Sequence, residues 1–244
     1  MTWRALSEEL NLWRECGRTA TFWWRDDDAS APAAALARLL ALSQTSGVPL
    51  ALAVIALSAV PTLFEGLRAS VLMHGTDHVN RAAAGEKKTE FPVAERDEDA
   101  LARLAAGRRK LEQLAGTRFL PVLAPPWNRF KDSLLPGLSG VGLHAISRYG
   151  ASSGGAVREV NTHLDIIDWH GSRGFIGEEI VLRAAIGHLA TQRSKPLHAM
   201  EATGLLTHHA VHDGAAWDFI EGLFERTRAL GARWAEPTAL FPSR

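Results

Sequence analysis

The sequence predicts an α/β protein built on a parallel sheet. Short apolar, β-prone runs alternate with helical patterns at the spacing of strand–helix–strand units. Each run ends on polar or titratable residues, which in parallel architectures gather on the rim at the strands' C-terminal ends. A chain of 244 residues with 46% apolar content is long enough to bury a barrel-sized core.

In chain order, Trp3, Leu6, Leu10 and Trp13 recur at three- and four-residue steps, so residues 3–16 read as an amphipathic helix. Thr19 to Trp24 reads as a first strand that delivers Asp26, Asp27 and Asp28. Pro32 opens a helix over Ala33 to Leu42, and Pro49 to Leu57 is a second strand, apolar on both faces. A helix from Pro61 through Leu67 and a short strand from Ser70 to Met73 lead to His74. Gly75 to Arg96 is an irregular rim loop whose Gly85-Glu86-Lys87-Lys88 run reads as solvated charge. Asp97 to Gly116 is a helix with a Leu101, Leu104, Leu111 and Leu114 stripe, followed by a strand over Phe119 to Leu123. The strand ends in Ala124-Pro125-Pro126-Trp127-Asn128, a rigid ledge poor in backbone donors.

A turn at Leu134 to Leu138 and a strand over Gly142 to Ser147 follow. Ser152 to Gly155 is a loop without a phosphate-binding pattern. Arg158 to His163 is extended and Leu164 to Trp169 a strand. Gly177 to Gln192 is a helix, Glu201 to Thr207 a strand delivering His208, and Asp213 caps a last helix through Leu230 before a strand at Trp234. No repeat and no linker divides the chain, so residues 1–244 are expected to form one domain.

Composition narrows the function. Lys plus Arg and Asp plus Glu balance at 27 each, which gives no field favouring nucleic acid. The most apolar run, Val48 to Val60, is too short to span a bilayer, and the N-terminal residues lack a secretory pattern. A cytoplasmic protein is the expectation. Cys16 is the only cysteine, so any metal must be held by nitrogen and oxygen.

Three adjacent carboxylates at residues 26–28 repel unless a cation or a shared proton offsets them; the bland alternative is a solvated helix cap. His74 and His78 stand four apart, and Gly75 with Thr76 suits a loop turn better than a helix interior. Two histidines and one carboxylate from the aspartate cluster make a divalent-metal site with open positions. A second carboxylate of the cluster is then placed to act as base, His208 as acid, and Asp165 to orient it. Trp127 and Trp169 offer apolar walls for a sugar face or an acyl methyl.

These residues carry a resemblance. The ordered set Trp24-Arg25-Asp26-Asp27-Asp28, His74-x3-His78, Ala124-Pro125-Pro126-Trp127-Asn128, Asp165-x3-Trp169 and Leu205-x2-His208 resembles the polysaccharide deacetylase family, the NodB-like carbohydrate esterases, over residues 20–212 or so. The resemblance implies a distorted (β/α) barrel of about seven strands. It also implies a metal-dependent hydrolase, usually with one zinc ion, that removes an acetyl group from an N- or O-acetylated sugar or sugar-containing precursor. Carried over, Asp26 is the general base and Asp27 a metal ligand with His74 and His78; the neighbouring register, Asp27 and Asp28, is the alternative. The resemblance implies that metal-bound water attacks the acetyl carbonyl, with the Asp as base and His208 as the acid. Asp165 supports the catalytic His or the motif Arg, and Pro126, Trp127, Asn128 and Trp169 line the substrate site. The family's third motif begins with Arg, the usual partner of the base, and here Ala124 stands in its place. Arg25 adjoins Asp26, but neighbours on a strand point to opposite faces, so it is given no role.

Two rival readings remain: a relative that binds sugar or metal without turnover, and a two-His-one-carboxylate iron oxygenase, whose motif order and fold disagree with this chain. His144, His163, His170, His188, His198, His209 and His212 receive no role.

Overall fold

A computed structural model describes residues 1–242. The chain runs α1 (Trp3–Glu15), β1 (Thr21–Ala29), α2 (Ala34–Ser46), β2 (Ala51–Val54), β3 (Ser70–His74), α3 (Asp97–Ala115), β4 (Phe119–Ala124), β5 (Ala145–Ile146), β6 (Arg158–Glu159), β7 (Leu164–Asp165), α4 (Glu178–Ser194), β8 (Thr203–Thr207), α5 (Gly214–Ala229) and β9 (Arg233–Trp234). Two compact units share it: Met1–Asp26, Ala34–Leu50 and Thr162–Leu240 make the first, and Asp27–Ala33 and Ala51–Asn161, with Phe241 and Pro242, make the second.

In the first unit β1 pairs in parallel with β8, from Phe22↔Thr203 to Asp26↔Thr207, and β8 pairs with β7 through Leu164↔Leu205 and Asp165↔Leu206. β9 lies on the start of β1. The face of β1 bearing Phe22 and Trp24 is aromatic: Phe22 stacks on Trp234 at 5.1 Å, and Trp24 meets Phe224 of α5 edge-on at 4.9 Å. Helix α1 is capped by Thr2 and buries Leu6, Leu10 and Trp13. Its buried Glu9 takes the Arg193 guanidinium of α4 at 2.8 Å, which neutralises the one acid on that apolar stripe.

In the second unit β2, β3, β4, β5 and β6 follow one another in parallel, and Ile55 N–H donates to the Ala29 carbonyl at the end of β1. Strands β2 and β3 are buried over most of their length, the continuous apolar pattern of strands covered on both faces. Helix α3 has three acids in its first turn, favourable at the positive end of the helix dipole, and buries Ala100, Leu104, Gly107, Leu111 and Ala115. The full strand order is β6-β5-β4-β3-β2-β1-β8-β7, with β9 beside β1. The fold class is the expected α/β distorted-barrel type, with eight strands in line rather than about seven. No helix is long and apolar enough to cross a membrane among the described residues.

Several boundaries differ from the sequence reading. β1 continues to Ala29, five residues beyond the expected end, because β8 pairs with it as far as Asp26 and Ile55 N–H, just after β2, donates to the Ala29 carbonyl. The helix expected from Pro61 is a 3₁₀ turn over Pro61–Phe64, stopped by Gly66 at φ 66°. The strand expected through Trp169 ends at Asp165. Beyond it Asp168 accepts from the Gly171 and Ser172 N–H groups, a turn that brings Ile167 antiparallel to Phe175.

At Gly107 α3 packs tightly against the end of β3: an added Cβ would lie 2.6 Å from Met73 Cε and 2.9 Å from Ala56 Cβ. Gly107→Val is therefore expected to overpack this contact at about 3 kcal/mol. That corresponds to a fall in melting temperature of roughly 6–12 °C in thermal unfolding. An unchanged melting temperature would show that α3 can shift freely.

Candidate metal centre

In the second unit three acceptor atoms converge. Asp28 Oδ1 lies 3.0 Å from His74 Nε2 and 3.3 Å from His78 Nε2, and the three residues are close enough together to hold one ion. His74 is the last residue of β3 and sits opposite Ala124 in the ladder. Its Nδ1 is 3.0 Å from the Ala124 carbonyl, which can only accept, so the proton sits on Nδ1 and the Nε2 lone pair faces Asp28. A carboxylate oxygen and an imidazole lone pair at 3.0 Å require a cation or a proton between them. The donor set, two nitrogens and one oxygen without sulfur, suits zinc or another divalent ion of similar preference.

The convergence comes from loop geometry rather than a helix turn. Gly75 takes φ 58° and His78 φ 57°, so the chain doubles back and brings the second imidazole over the first, with ring centroids 5.2 Å apart. Only glycine fits at 75: an added Cβ would lie 2.1 Å from Glu90 Oε2 and 2.6 Å from Pro126. Glu90 is fully buried and accepts from Thr76 N–H at 2.8 Å and from the Thr76 hydroxyl, which pins the turn between the two histidines. Trp127 packs on His78 at 4.5 Å. Five non-glycine residues have left-handed backbone among the described residues, and four of them, Asp28, His78, Trp127 and Asn128, belong to this cluster or its ledge. Such strain of about 1–3 kcal/mol per residue collects where side chains must be aimed.

Of the two aspartates weighed from sequence as ligand, the geometry brings Asp28 to the histidines. The preferred ligand, Asp27, is not in the converging set; its Oδ2 is 3.9 Å from His74 Nδ1, the nitrogen already turned to Ala124. The left-handed backbone at Asp28 swings that carboxylate to the histidines instead.

In the first unit Asp26, expected from sequence as the base, is held in a buried hydrogen-bond set. It is fully buried; Oδ2 accepts from the Thr207 hydroxyl at 2.6 Å and from His209 N–H at 3.0 Å, and Oδ1 meets His209 Nδ1 at 2.5 Å. Trp24 Nε1 donates to Thr207 at 2.8 Å, which directs the threonine proton to Asp26. His208, the next residue after β8, has its ring edge-on to Trp169 at 4.6 Å, and Trp169 Nε1 donates to Asp165 Oδ2 at 2.8 Å. So Asp165, Trp169 and His208 gather as expected, and His208 N–H donates to His212 Nε2 at 3.3 Å. Sequence reasoning missed Glu90, Thr207, His209 and His212. For Thr207 and His209 the signal was present, a hydroxyl and a second histidine at a strand end one register from Asp26. For Glu90 there was none.

A second cluster in the first unit, His163, His188 and Glu201, has the residue types of a metal site but the wrong protons. Gly204 N–H donates to His163 Nδ1, so the proton is on Nε2, which has no hydrogen-bond partner among the described residues; Glu201 Oε2 is 3.7 Å away. The Gln192 carbonyl is taken by Glu201 N–H, so its amide donates to His188 Nε2. Neither ring offers a lone pair to an ion. The rings stack at 3.7 Å as a neutral pair.

No protein-family model and no curated protein matches this chain. Solved structures do. A peptidoglycan N-acetylglucosamine deacetylase is 13% identical with a TM-score of 0.59, covering 96% of this chain and 97% of its own. A chitin deacetylase from Colletotrichum lindemuthianum is 13% identical at TM-score 0.58, covering 93% and 89%. A family 4 acetyl xylan esterase from Clostridium thermocellum, in complex with a cobalt ion, is 16% identical at TM-score 0.55, covering 91% and 90%. This chain has the fold of these carbohydrate deacetylases and esterases.

Burial pushes His163 down to about 3, and His188 and His212 down to about 4. A histidine whose folded pKa lies below its ordinary value near 6.5 takes its proton preferentially in the unfolded chain. Stability is therefore complete above pH 6.5 and is lost as pH falls from 6.5 toward 4. Melting temperatures recorded from pH 7.5 to 4.5 are expected to drop across this window, and His188→Gln to flatten the drop. An equal drop in the variant would place the proton uptake elsewhere.

Proposed function

We propose that this protein is a metal-dependent hydrolase that removes an acetyl group from an N- or O-acetylated sugar or sugar-containing precursor. The observation that supports it most is the trio Asp28, His74 and His78, with the His74 Nε2 lone pair aimed at the Asp28 carboxylate by the Nδ1 hydrogen bond to the Ala124 carbonyl. The likeness in fold to carbohydrate deacetylases and to an acetyl xylan esterase with cobalt supports the substrate class. Asp28, His74 and His78 would hold one divalent ion, with zinc the ion suited to these donors. When bound, such an ion acidifies water and offsets negative charge on an acyl oxygen.

The chain's own residues then divide the remaining work. The resemblance places the base one residue before the ligand; with Asp28 as ligand, the base is Asp27, which takes the proton of the attacking water. Asp26 is thereby released to His209. His208 gives a proton to the leaving nitrogen or oxygen, its ring steadied by Trp169 and the Trp169–Asp165 hydrogen bond. Trp127, held on His78 by the Pro126 ledge, offers an apolar wall for the acetyl methyl. The reading of a binder without turnover draws on one feature, the alanine at position 124 where the resemblance expects arginine.

Metal analysis of the purified protein, followed by acetate release from N- and O-acetylated sugars, tests the proposal. About one equivalent of zinc is expected, lost in His74→Ala. Asp27→Asn should keep the metal and lower kcat by roughly 10²–10⁴-fold. Metal retained without acetate release across the panel would put the binder ahead, and full activity in Asp27→Asn would remove Asp27 from the chemistry.

A further inference from the structure

Arg25 is fully buried in the middle of β1. A guanidinium stays charged under all ordinary conditions, and one removed from water is held only where anions compensate it. Its place on the strand indicates which anion. Phe22 and Trp24 face α5 and β9, and Asp26 shares their face, since it hydrogen-bonds the same Thr207 as Trp24. Side chains alternate along a strand, so Arg25 and Asp27 share the opposite face, two residues apart. Asp27 is itself 1% exposed and has the same need for a counter-charge. Across the sheet the row of Arg25 contains Leu206 and then Asp165, whose two oxygens already accept from Ile167 N–H and Trp169 Nε1.

We infer that Arg25 is the positioning residue for Asp27: its guanidinium holds and aims the base carboxylate. It thus supplies from β1 the cation that the resemblance places at the end of β4, where this chain has Ala124. The inference rests on the proposed function for its catalytic meaning, but the ion pair stands or falls separately. The register decides it. With Asp26 as base, Arg25 would sit on the wrong face; with Asp27 as base, it sits on the right one. The two departures from the family pattern, a third aspartate and a missing arginine, then compensate each other.

A double-mutant cycle in thermal unfolding of the metal-free protein tests the pair without any assay of activity. Arg25→Met and Asp27→Asn each strand one buried charge and should lower the melting temperature by roughly 10 °C. The double variant should melt above the sum of the two losses, close to the milder single. Additive losses would overturn the inference, as would coupling of Arg25→Met to Asp165→Asn instead. Should Arg25→Met fail to fold while the double variant folds, the pair is supported; should both fail, Arg25→Lys replaces it in the cycle.

Where acetate release is measurable, Arg25→Lys adds a readout that a purely structural role would not move. A lysine keeps the charge but not the planar fork. The expected result is a fall in kcat of about tenfold or more, with KM and bound metal within twofold of wild type. Unchanged kcat, or a rise in KM alone, would count against positioning. A wild type that releases no acetate would end the hydrolase reading and leave the melting cycle to decide the pair.

Discussion

Three successive carboxylates on a buried stretch of strand have to be neutralised one at a time, and the surroundings of β1 follow from that requirement. No single cation can serve all three, because a strand sends alternate side chains to opposite faces. Asp26 goes to the aromatic face and is met by Thr207 and His209. Asp28 would return to that face but for its left-handed backbone, which carries it to His74 and His78. Asp27 remains on the face of the buried Arg25. An isolated carboxylate would cost several kcal/mol at the buried positions 26 and 27, so the partners there are conditions of folding as well as of chemistry.

The histidines illustrate how hydrogen bonds to neighbours decide what the same side chain can do. His74 gives its Nδ1 proton to a backbone carbonyl and is left with a lone pair on Nε2. His163 receives a backbone N–H on Nδ1 and is left with a proton on Nε2. The first can bind an ion; the second cannot. Both clusters contain two histidines and a carboxylate, so residue type alone would rank them equally. The difference lies in which backbone group the ladder presents, a carbonyl at the end of β4 or an N–H in β8.

Much of the fold was legible because its signals are local and periodic. The helices α1, α3 and α5 and the strands β2, β3 and β8 lie where apolar spacing puts them, and the Asp213 cap does hold Ala216 N–H. The two-residue strands β5, β6, β7 and β9 fall within or at the extended stretches read from sequence, but their length was not legible, since a pair of residues carries no period. The site was legible as a set: His74, His78, Asp165, Trp169 and His208 were all named. Which aspartate lies beside the histidines was not, because it turns on the positive φ at Asp28, which is uncommon for any residue other than glycine and has no marker in the sequence. Glu90 was unreadable for another reason: its burial under Gly75 depends on a contact fifteen residues away through an irregular loop.

The alanine at 124 takes on a different aspect once its neighbours are known. It is fully buried at the end of β4, its carbonyl sets the His74 proton, and Pro126 two residues on lies against Gly75. The backbone of this strand end is thus committed to the His74–His78 loop whatever side chain position 124 carries. A cation needed for Asp27 can come from elsewhere without disturbing that commitment, provided it reaches the same face. Position 25 meets the condition by strand alternation alone, with no change in any loop. In the proposed pairing one strand supplies both the carboxylate and its cation, and the run Arg25-Asp26-Asp27-Asp28 is the form in which the sequence would record it.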